Sequence, residues 1–131
     1  MVNKTVFYTI LVIPIIFIGC TEQTKESCEN GKKMYKENDI NIVLTKKPYK
    51  NWYYFLEGIN LNTGKDTLYQ LEGRWYGQLE FYWDVGDTII KKKGELFLEV
   101  HKRDTIHISE WRCDDILIDG VSVSELRKRK K

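Results

Sequence analysis

The sequence contains no alanine, and proline and histidine occur only twice each. Alanine is the best helix former, whereas Tyr, Trp, Ile, Val and Thr favour strands. Aromatic residues make up 13% of the chain and include four tryptophans and eight tyrosines. This composition predicts a fold built mainly from β-strands.

The chain also has little net charge, with 21 Lys and Arg residues against 19 Asp and Glu residues. Proteins that bind nucleic acid usually carry a clear excess of basic residues. Near-neutrality therefore argues against nucleic acid as a partner. The longest basic cluster is residues 125–131, which we expect to be a frayed, solvated tail. Contact of this tail with anionic lipid head groups is the alternative.

A long apolar run occurs only at the N-terminus. Lys4 is followed by an uncharged, mainly apolar stretch that extends to residue 19. This stretch is shorter than the roughly 20 apolar residues that a comfortable membrane span needs. Its length and its charged start fit the apolar region of a secretory signal peptide better. An ordinary signal anchor is the alternative.

The apolar stretch ends in Phe17, Ile18, Gly19 and Cys20. This sequence resembles the lipobox of bacterial lipoproteins, which has an aliphatic residue, a small or aliphatic residue, Gly or Ala, and then Cys. The last three residues match, and Phe17 departs from the pattern. The resemblance implies that residues 1–19 are a signal peptide and that the Cys20 thiol is lipidated after cleavage. Two or more acyl chains would then anchor the protein stably.

The lipobox resemblance also implies an address in the bacterial cell envelope. Thr21 follows the cysteine, in place of the Asp that retains many proteobacterial lipoproteins in the inner membrane. The outer membrane is therefore the expected location. The stretch 85–92 and the Trp-x-Cys sequence at Trp111 and Cys113 resemble the general sequence pattern of small envelope lipoproteins of Bacteroidetes. That similarity implies no particular activity.

Three cysteines are an odd number for an exported protein and would leave one thiol free. Lipidation of Cys20 leaves Cys28 and Cys113, which an oxidising compartment would allow to pair. The loop closed by this disulfide has about 86 residues, and the chain-entropy model gives it a stabilisation of about 4.5 kcal/mol. Two unpaired thiols are the alternative.

The remaining chain divides into a tether and a folded domain. Residues 20–38 are mostly polar and charged, without apolar periodicity, so we expect a lipidated cysteine and a flexible tether. Residues 39–124 are predicted to form one β domain, and no helical stripe of useful length is visible in the sequence.

Alternation of apolar and polar residues, interrupted by turn sequences, predicts short antiparallel strands in this domain. Asp119 and Gly120 form a favoured two-residue hairpin turn. The predicted strands are 39–45, 52–61, 67–72, 78–83, 88–90, 96–101, 105–109, 116–118 and 121–123. Seven to nine strands of this kind are typical of an all-β fold, either a small antiparallel β-sandwich or a partly open barrel.

No set of residues predicts catalysis, a cofactor or a metal. His101 and His107 flank a turn on adjacent strands, on the more polar faces, and would face each other in a zinc site with Glu99 or Glu110. Zinc sites, however, usually have three or four ligands at a recognisable spacing. Solvated histidines on the sheet surface are the simpler interpretation.

Two further groups of polar residues were considered for chemistry. Asp114, Asp115 and Asp119 lack the regular spacing of a calcium loop, so we expect them to cap and solvate turns. Ser109 lies near His107 and Asp104 in the sequence, as a nucleophile triad would require, but no nucleophile elbow surrounds it. Neither group predicts an active site.

Two aromatic-rich stretches, 49–54 and 75–83, are the candidates for binding. Consecutive residues on a strand point to opposite faces, so some of these rings would lie partly exposed. Exposed Trp and Tyr often mark surfaces that bind proteins or carbohydrates. A thin domain that partly buries both faces is the alternative. The candidate binding residues are Trp52, Tyr54, Trp75, Tyr76 and Trp83.

Together these patterns predict a non-enzymatic envelope lipoprotein, held at the membrane by its lipid. Its β domain would bind a protein, a glycan or another envelope component through an aromatic face. One alternative is a lipoprotein inhibitor or immunity protein that acts against a toxin or hydrolase. Another is a small metal-dependent hydrolase that uses His101, His107 and nearby acids.

Overall fold

The computed structural model describes the backbone of residues 16–130 and the side chains of residues 25–129. Most of the predicted signal peptide and the side chain of Cys20 therefore lie outside the described residues. The described helices are α1 (Ile16–Glu37), α2 (Arg74–Gln78) and α3 (Val123–Lys130), and a short 3₁₀ helix (Glu80–Tyr82) follows α2. The strands are β1 (Ile40–Leu44), β2 (Tyr49–Asn51), β3 (Tyr53–Asn60), β4 (Asp66–Leu71), β5 (Thr88–Lys91), β6 (Phe97–His101), β7 (Ile106–Trp111), β8 (Ile116–Ile118) and β9 (Val121–Ser122).

The nine strands form one antiparallel sheet that is not closed into a barrel. β3 pairs with β4 on one side and with both β1 and β2 on the other, and β5 to β9 follow β1 in order. β1 and β2 pair with different halves of β3, because Leu44 lies opposite Gly58 and Lys50 lies opposite Tyr54. The all-β class predicted from the sequence is confirmed.

The hairpins that the turn-forming residues predicted are present in the structure. β3 and β4 pair around the 62–66 turn, and β6 and β7 pair around the 102–105 turn. Asp119 and Gly120 both have positive φ angles, of 51° and 80°. A two-residue turn with this backbone matches the twist of the strands that it joins, and Ile118 lies directly opposite Val121.

Residues 78–83, predicted to be a strand, instead contain the end of α2 and the 3₁₀ helix. Trp75, Leu79 and Trp83 are completely buried and stand four residues apart. Tyr76, directly after Trp75, is completely buried as well. Adjacent residues of a strand point to opposite faces, so burial of Trp75, Tyr76 and Leu79 together follows the spacing of a helix face. The density of aromatic residues had suggested a strand, but the spacing of the buried residues is helical.

Residues 20–37 of the segment 20–38, predicted to be a flexible tether, belong to α1. The second half of this helix is part of the domain, since Tyr35 is only 3% exposed. Gly31 faces the Trp111 ring so closely that a side chain there would contact it. A helix with weak intrinsic periodicity is commonly stabilised by such tertiary packing.

The disulfide predicted between Cys28 and Cys113 is present, and their Cα atoms lie 5.4 Å apart. It fastens α1 to the turn that joins β7 and β8. This covalent link and the burial of Tyr35 together hold the second half of α1 against the sheet.

The core lies between the inner face of the sheet and a layer formed by α1, α2 and the 3₁₀ helix. The sheet residues in this core are Ile40, Ile42, Leu44, Leu56, Ile89, Leu98, Val100 and Ile118. The helical layer contributes Tyr35, Trp75, Tyr76 and Leu79, and Trp83 follows the 3₁₀ helix.

The basic C-terminal segment, predicted to be frayed, forms most of α3. Val123 at its start is buried. Arg127 Nη2 donates a 3.2 Å hydrogen bond to the carbonyl oxygen of Gln78, and its guanidinium lies 5.2 Å from the centre of the Phe81 ring. These contacts attach α3 to the helical layer, which the charge pattern alone did not predict.

Candidate functional site

Three of the five aromatic residues predicted to bind a partner are core residues. Trp75, Tyr76 and Trp83 have no exposed surface, so they cannot contact a ligand in the folded domain. Trp75 Nε1 donates a 2.9 Å hydrogen bond to Oγ of Ser109, and the Trp75 and Tyr76 rings stack with centroids 5.7 Å apart. For these three rings the structure shows burial in the core.

Tyr54 also has a packing role. It is half-buried, and its ring and hydroxyl occupy the space into which a side chain at Gly77 would project. The Lys50 ammonium lies 5.7 Å from the centre of the same ring. The ring therefore stabilises the contact between β3 and α2, and little of it is left for a partner.

Trp52 is the predicted binding residue that remains available. Its side chain is 92% exposed, and it forms the turn between β2 and β3, where Asn51 lies opposite Tyr53. Its φ angle is 61°, in the left-handed region that costs an ordinary residue roughly 1–2 kcal/mol. Such strained residues persist mainly at functional positions.

Other aromatic and basic residues surround Trp52 in the hairpin tip, by which we mean residues 49–55. Tyr49 is 44% exposed, and its ring stacks on Phe55 with centroids 5.0 Å apart. Lys47 and Lys50 add positive charge, and residues 46–56 contain no acidic residue. The tip is therefore a convex projection that is both aromatic and positively charged.

The hairpin tip and the attachment of α1 lie at opposite ends of the sheet. At one end, the N–H of Gly94 donates a 2.7 Å hydrogen bond to the carbonyl oxygen of Lys36, close to the start of β1. From there β1 runs towards β2 and the tip. The stretch of β3 from Asn60, which lies opposite Ile42, to Tyr53 spans about 23 Å. The tip therefore lies at the far end of β3 from this hydrogen bond.

The two histidines do not face each other. His107 lies opposite Val100 and shares the inner face with it, whereas His101 lies opposite Ile106 on the outer face, because directly paired residues project from the same side of a sheet. The zinc arrangement considered from the sequence is thus not formed. Within residues 25–129, no group of three or more His, Cys, Asp or Glu side chains is placed to hold a metal ion.

Each histidine has an acidic partner of its own. His107 Nδ1 lies 2.6 Å from Asp119 Oδ2, and His101 Nε2 lies 3.0 Å from Glu99 Oε2. Desolvation opposes ionisation of Asp119, but the backbone N–H of Ile108 and the His107 side chain outweigh it and lower the pKa of Asp119. These pairs connect neighbouring segments of the sheet, and they form no catalytic set with Ser109.

A tyrosine completes the surroundings of His107. The Tyr82 ring stands edge-on to the imidazole, with centroids 5.1 Å apart. Burial, followed by the negative charges of Asp119 and Asp87, raises the pKa of Tyr82 to about 12. The cluster thus joins the 3₁₀ helix, β7 and the β8–β9 turn. The neutral phenol and the hydrogen-bonded His107 and Asp119 side chains hold these three segments together.

The acids near Cys113 act as turn residues. Asp115 Oδ1 accepts two hydrogen bonds. The backbone N–H of Ile116 donates one at 2.8 Å, and Ser122 Oγ donates the other at 3.2 Å. Asp119 forms the next turn. The carboxylate oxygens of Asp115 and Asp119 thus accept hydrogen bonds within the protein, as expected for residues that cap turns.

Sequence reasoning misassigned the faces of β7. Ile106 and Ile108 are 57% and 45% exposed, whereas His107 and Ser109 lie on the inner face. Ser109 is tolerated inside because its hydroxyl accepts the hydrogen bond from Trp75. A partner so distant in the sequence gives no local signal, so the apolar residues on the outer face were overlooked.

Comparison with protein-family models, with curated proteins and with solved structures found no match to this chain. None of the helices in residues 16–130 combines the length and apolar character needed to cross a membrane.

Proposed function

We propose that this protein is a lipoprotein of the bacterial cell envelope, anchored through Cys20 in the outer membrane, whose β domain binds a partner without catalysing a reaction. The observation that carries the proposal is Trp52. This residue exposes 92% of its surface in a left-handed turn, an arrangement that burial in the domain's own core does not explain.

The anchor rests on the lipobox-like residues that end in Cys20. Cys20 lies on the same helix as Cys28, about 12 Å away along the helix axis. The disulfide at Cys28 would connect the lipid to the folded domain through a short, structured segment. With the anchor beyond one end of the sheet, the hairpin tip would project away from the membrane and be accessible to a partner.

The chemistry of the tip indicates the kind of partner. A convex Trp52 requires a concave acceptor, and Lys47 and Lys50 favour acidic groups around it. Tryptophan is enriched among the residues that dominate binding energy. A protein with an acidic cleft, or an acidic envelope glycan, would satisfy these requirements.

A crosslinking experiment tests the binding proposal. The full-length protein is crosslinked in its native cells, purified, and its partners are identified by mass spectrometry. We expect one dominant partner that is lost in Trp52→Ala and kept in Leu61→Ala, a matched control because Leu61 is also exposed, at 51%. A partner profile that does not change in Trp52→Ala would contradict a binding role for the tip.

The anchor is tested separately. Metabolic labelling with a radioactive fatty acid should label the wild-type protein, and Cys20→Ala should abolish the label and release the protein from the membrane fraction. Unchanged membrane attachment in Cys20→Ala would favour an uncleaved signal anchor. Because this readout does not involve the tip, the two parts of the proposal fail independently.

The convex tip also favours one alternative within binding, an inhibitor or immunity protein directed against a toxin or hydrolase. A rigid projecting residue in a domain stabilised by a disulfide suits insertion into a concave active site. Inhibition of a purified envelope hydrolase by the wild-type protein, but not by Trp52→Ala, would support this alternative. Loss of binding without any effect on hydrolases would leave the general binding role.

A further inference from the structure

A groove of about 540 Å³, away from the hairpin tip, is lined by residues of α1, of the β5–β6 turn and of the outer face of β5, β6 and β7. Its volume is within the range of 300–1,000 Å³, roughly, that small-molecule sites occupy. The groove has two kinds of lining, three lysines and a set of large apolar side chains. Their separation along the groove is the basis of the inference.

The apolar part of the groove is the outer surface of three adjacent strands. Ile90 and Ile108 lie in one row across the sheet, because each is paired with Glu99. Phe97 lies one row nearer to α1. Phe97 is 48% exposed and Ile108 is 45% exposed, so both offer apolar surface that an apolar ligand would remove from water.

The charged part of the groove lies at the end next to α1. Lys32 and Lys36 are four residues apart on this helix, where like charges face each other and destabilise the helix slightly. Lys92 directly follows β5 and completes the set. An anion placed among three ammonium groups would relieve their repulsion and form charge-assisted hydrogen bonds.

Two acidic residues also line the groove, Glu95 and Glu99. Glu99 is turned along its own strand, with Oε2 3.0 Å from His101 Nε2. Glu95 is the acid at the α1 end, where three lysines outnumber it. Glu99 stands between Ile90 and Ile108 in their row, and its partnership with His101 occupies its carboxylate, so the apolar surface of that row comes from the two isoleucines on either side of it. A groove with a positive end and an apolar end matches an elongated molecule with one anionic end and one apolar end.

We propose that this groove binds a single-chain amphiphile with an anionic head group, of which a long-chain fatty acid is the simplest example. The head group would contact Lys32, Lys36 and Lys92, and the alkyl chain would cover Ile90 and Ile108. A segment of another protein would require charged partners along the groove, whereas here the positive charge is concentrated at one end. The inference does not rest on the binding role of Trp52.

The test uses the full-length chain in membranes and a photoreactive fatty acid that carries a diazirine on its alkyl chain. After irradiation, the labelled peptides are mapped by mass spectrometry. We expect labelling of the β5–β7 peptides that saturates with probe concentration and that palmitate displaces. A diazirine alkylamine of equal length is the matched probe, and it should label these peptides weakly.

Two pairs of variants test the two ends of the groove. Lys32→Glu with Lys36→Glu should reduce labelling by about fivefold. The effect is modest because each exposed charge contact is worth only a fraction of a kcal/mol. Lys46→Glu with Arg103→Glu, at the other end of the sheet, should leave it unchanged. Ile108→Asp should abolish it, and Leu68→Asp, a similarly exposed outer-face site, should not.

Three outcomes would overturn the proposal. Equal labelling by the acid and amine probes would remove the role of the lysines. Labelling confined to residues 1–20 or spread over the whole outer face would indicate general contact with lipid. Replacement of Phe97 by a photoreactive phenylalanine that crosslinks only to a second copy of the chain would show that the groove is a dimer interface.

Discussion

The hydroxyl oxygen of Tyr35 accepts a 3.1 Å hydrogen bond from the backbone N–H of Trp75, which is 40 residues away in the sequence. Both residues are buried, and their rings meet edge to face with centroids 5.3 Å apart. Burial raises the pKa of Tyr35, although the backbone groups of Trp75 and Arg74 oppose the change. The neutral phenol thus joins α1 to α2 inside the core.

Tyr35→Phe tests this contact, because it keeps the ring and removes only the acceptor. A buried N–H left without a partner costs about 1–3 kcal/mol, so the free energy of unfolding in urea should fall by about that amount. Tyr49→Phe is the control: Tyr49 is exposed, and such surface changes are usually within about 0.5 kcal/mol. Equal stability of the two variants would show that the Tyr35 hydroxyl contributes little.

The disulfide should be a major source of stability in so small a domain. Replacing Cys28 and Cys113 together by serine should lower the free energy of unfolding by about 2–5 kcal/mol, since the closed loop is long. Wild-type protein unfolded under reducing conditions should match the variant. A variant as stable as the oxidised protein would mean that Tyr35 and Gly31 alone hold α1 against the sheet.

Trp52 should affect stability and binding in opposite directions. Glycine adopts positive φ without steric cost, so Trp52→Gly should stabilise the hairpin by up to about 1 kcal/mol while it abolishes partner capture. Trp52→Ala retains the backbone cost and loses the ring, so it should bind equally poorly without the gain in stability. Urea denaturation measures the first effect, and crosslinking measures the second. Loss of stability in Trp52→Gly would indicate that the exposed ring supports the fold.

The lowered pKa of Asp119 predicts a pH dependence of stability. Its carboxylate is more acidic in the folded than in the unfolded chain, so its contribution is present above the unfolded pKa. That contribution disappears as the pH falls through the folded pKa. Asp119→Asn keeps a residue that tolerates the left-handed turn and removes the charge. Unfolding measured across the acidic range should therefore show a stability difference at neutral pH that shrinks towards low pH. A difference that is independent of pH would contradict a role for the charge.

The sequence was most informative where the signal is local. The turn at Asp119 and Gly120 was readable because both residues suit positive φ, and the 62–66 turn was readable from its Asn, Gly and Asp content. The strand alternation of residues 96–101 was correct as well, since Leu98 and Val100 are buried. In each case the residues that define the element are neighbours in the chain.

The candidate site was less predictable, for two physical reasons. An aromatic residue is equally suited to a core and to a binding surface, so composition could not separate the buried Trp75 from the exposed Trp52. The faces of β7 depend on a hydrogen bond between Ser109 and a side chain 34 residues away. The groove next to α1 forms because residues that were predicted to be a tether fold into a helix that packs on the domain.

By itself, the sequence determined that the protein is a β protein with local hairpins and one plausible disulfide, because alternation, turn residues and cysteine count act at short range or by simple pairing. Only the tertiary structure decided that α1 is part of the domain, which tryptophan is exposed, and that lysines of α1 lie beside apolar residues of β5 to β7. Those relationships depend on contacts between segments that are distant in the sequence. No local sequence pattern predicts which residues such contacts bury.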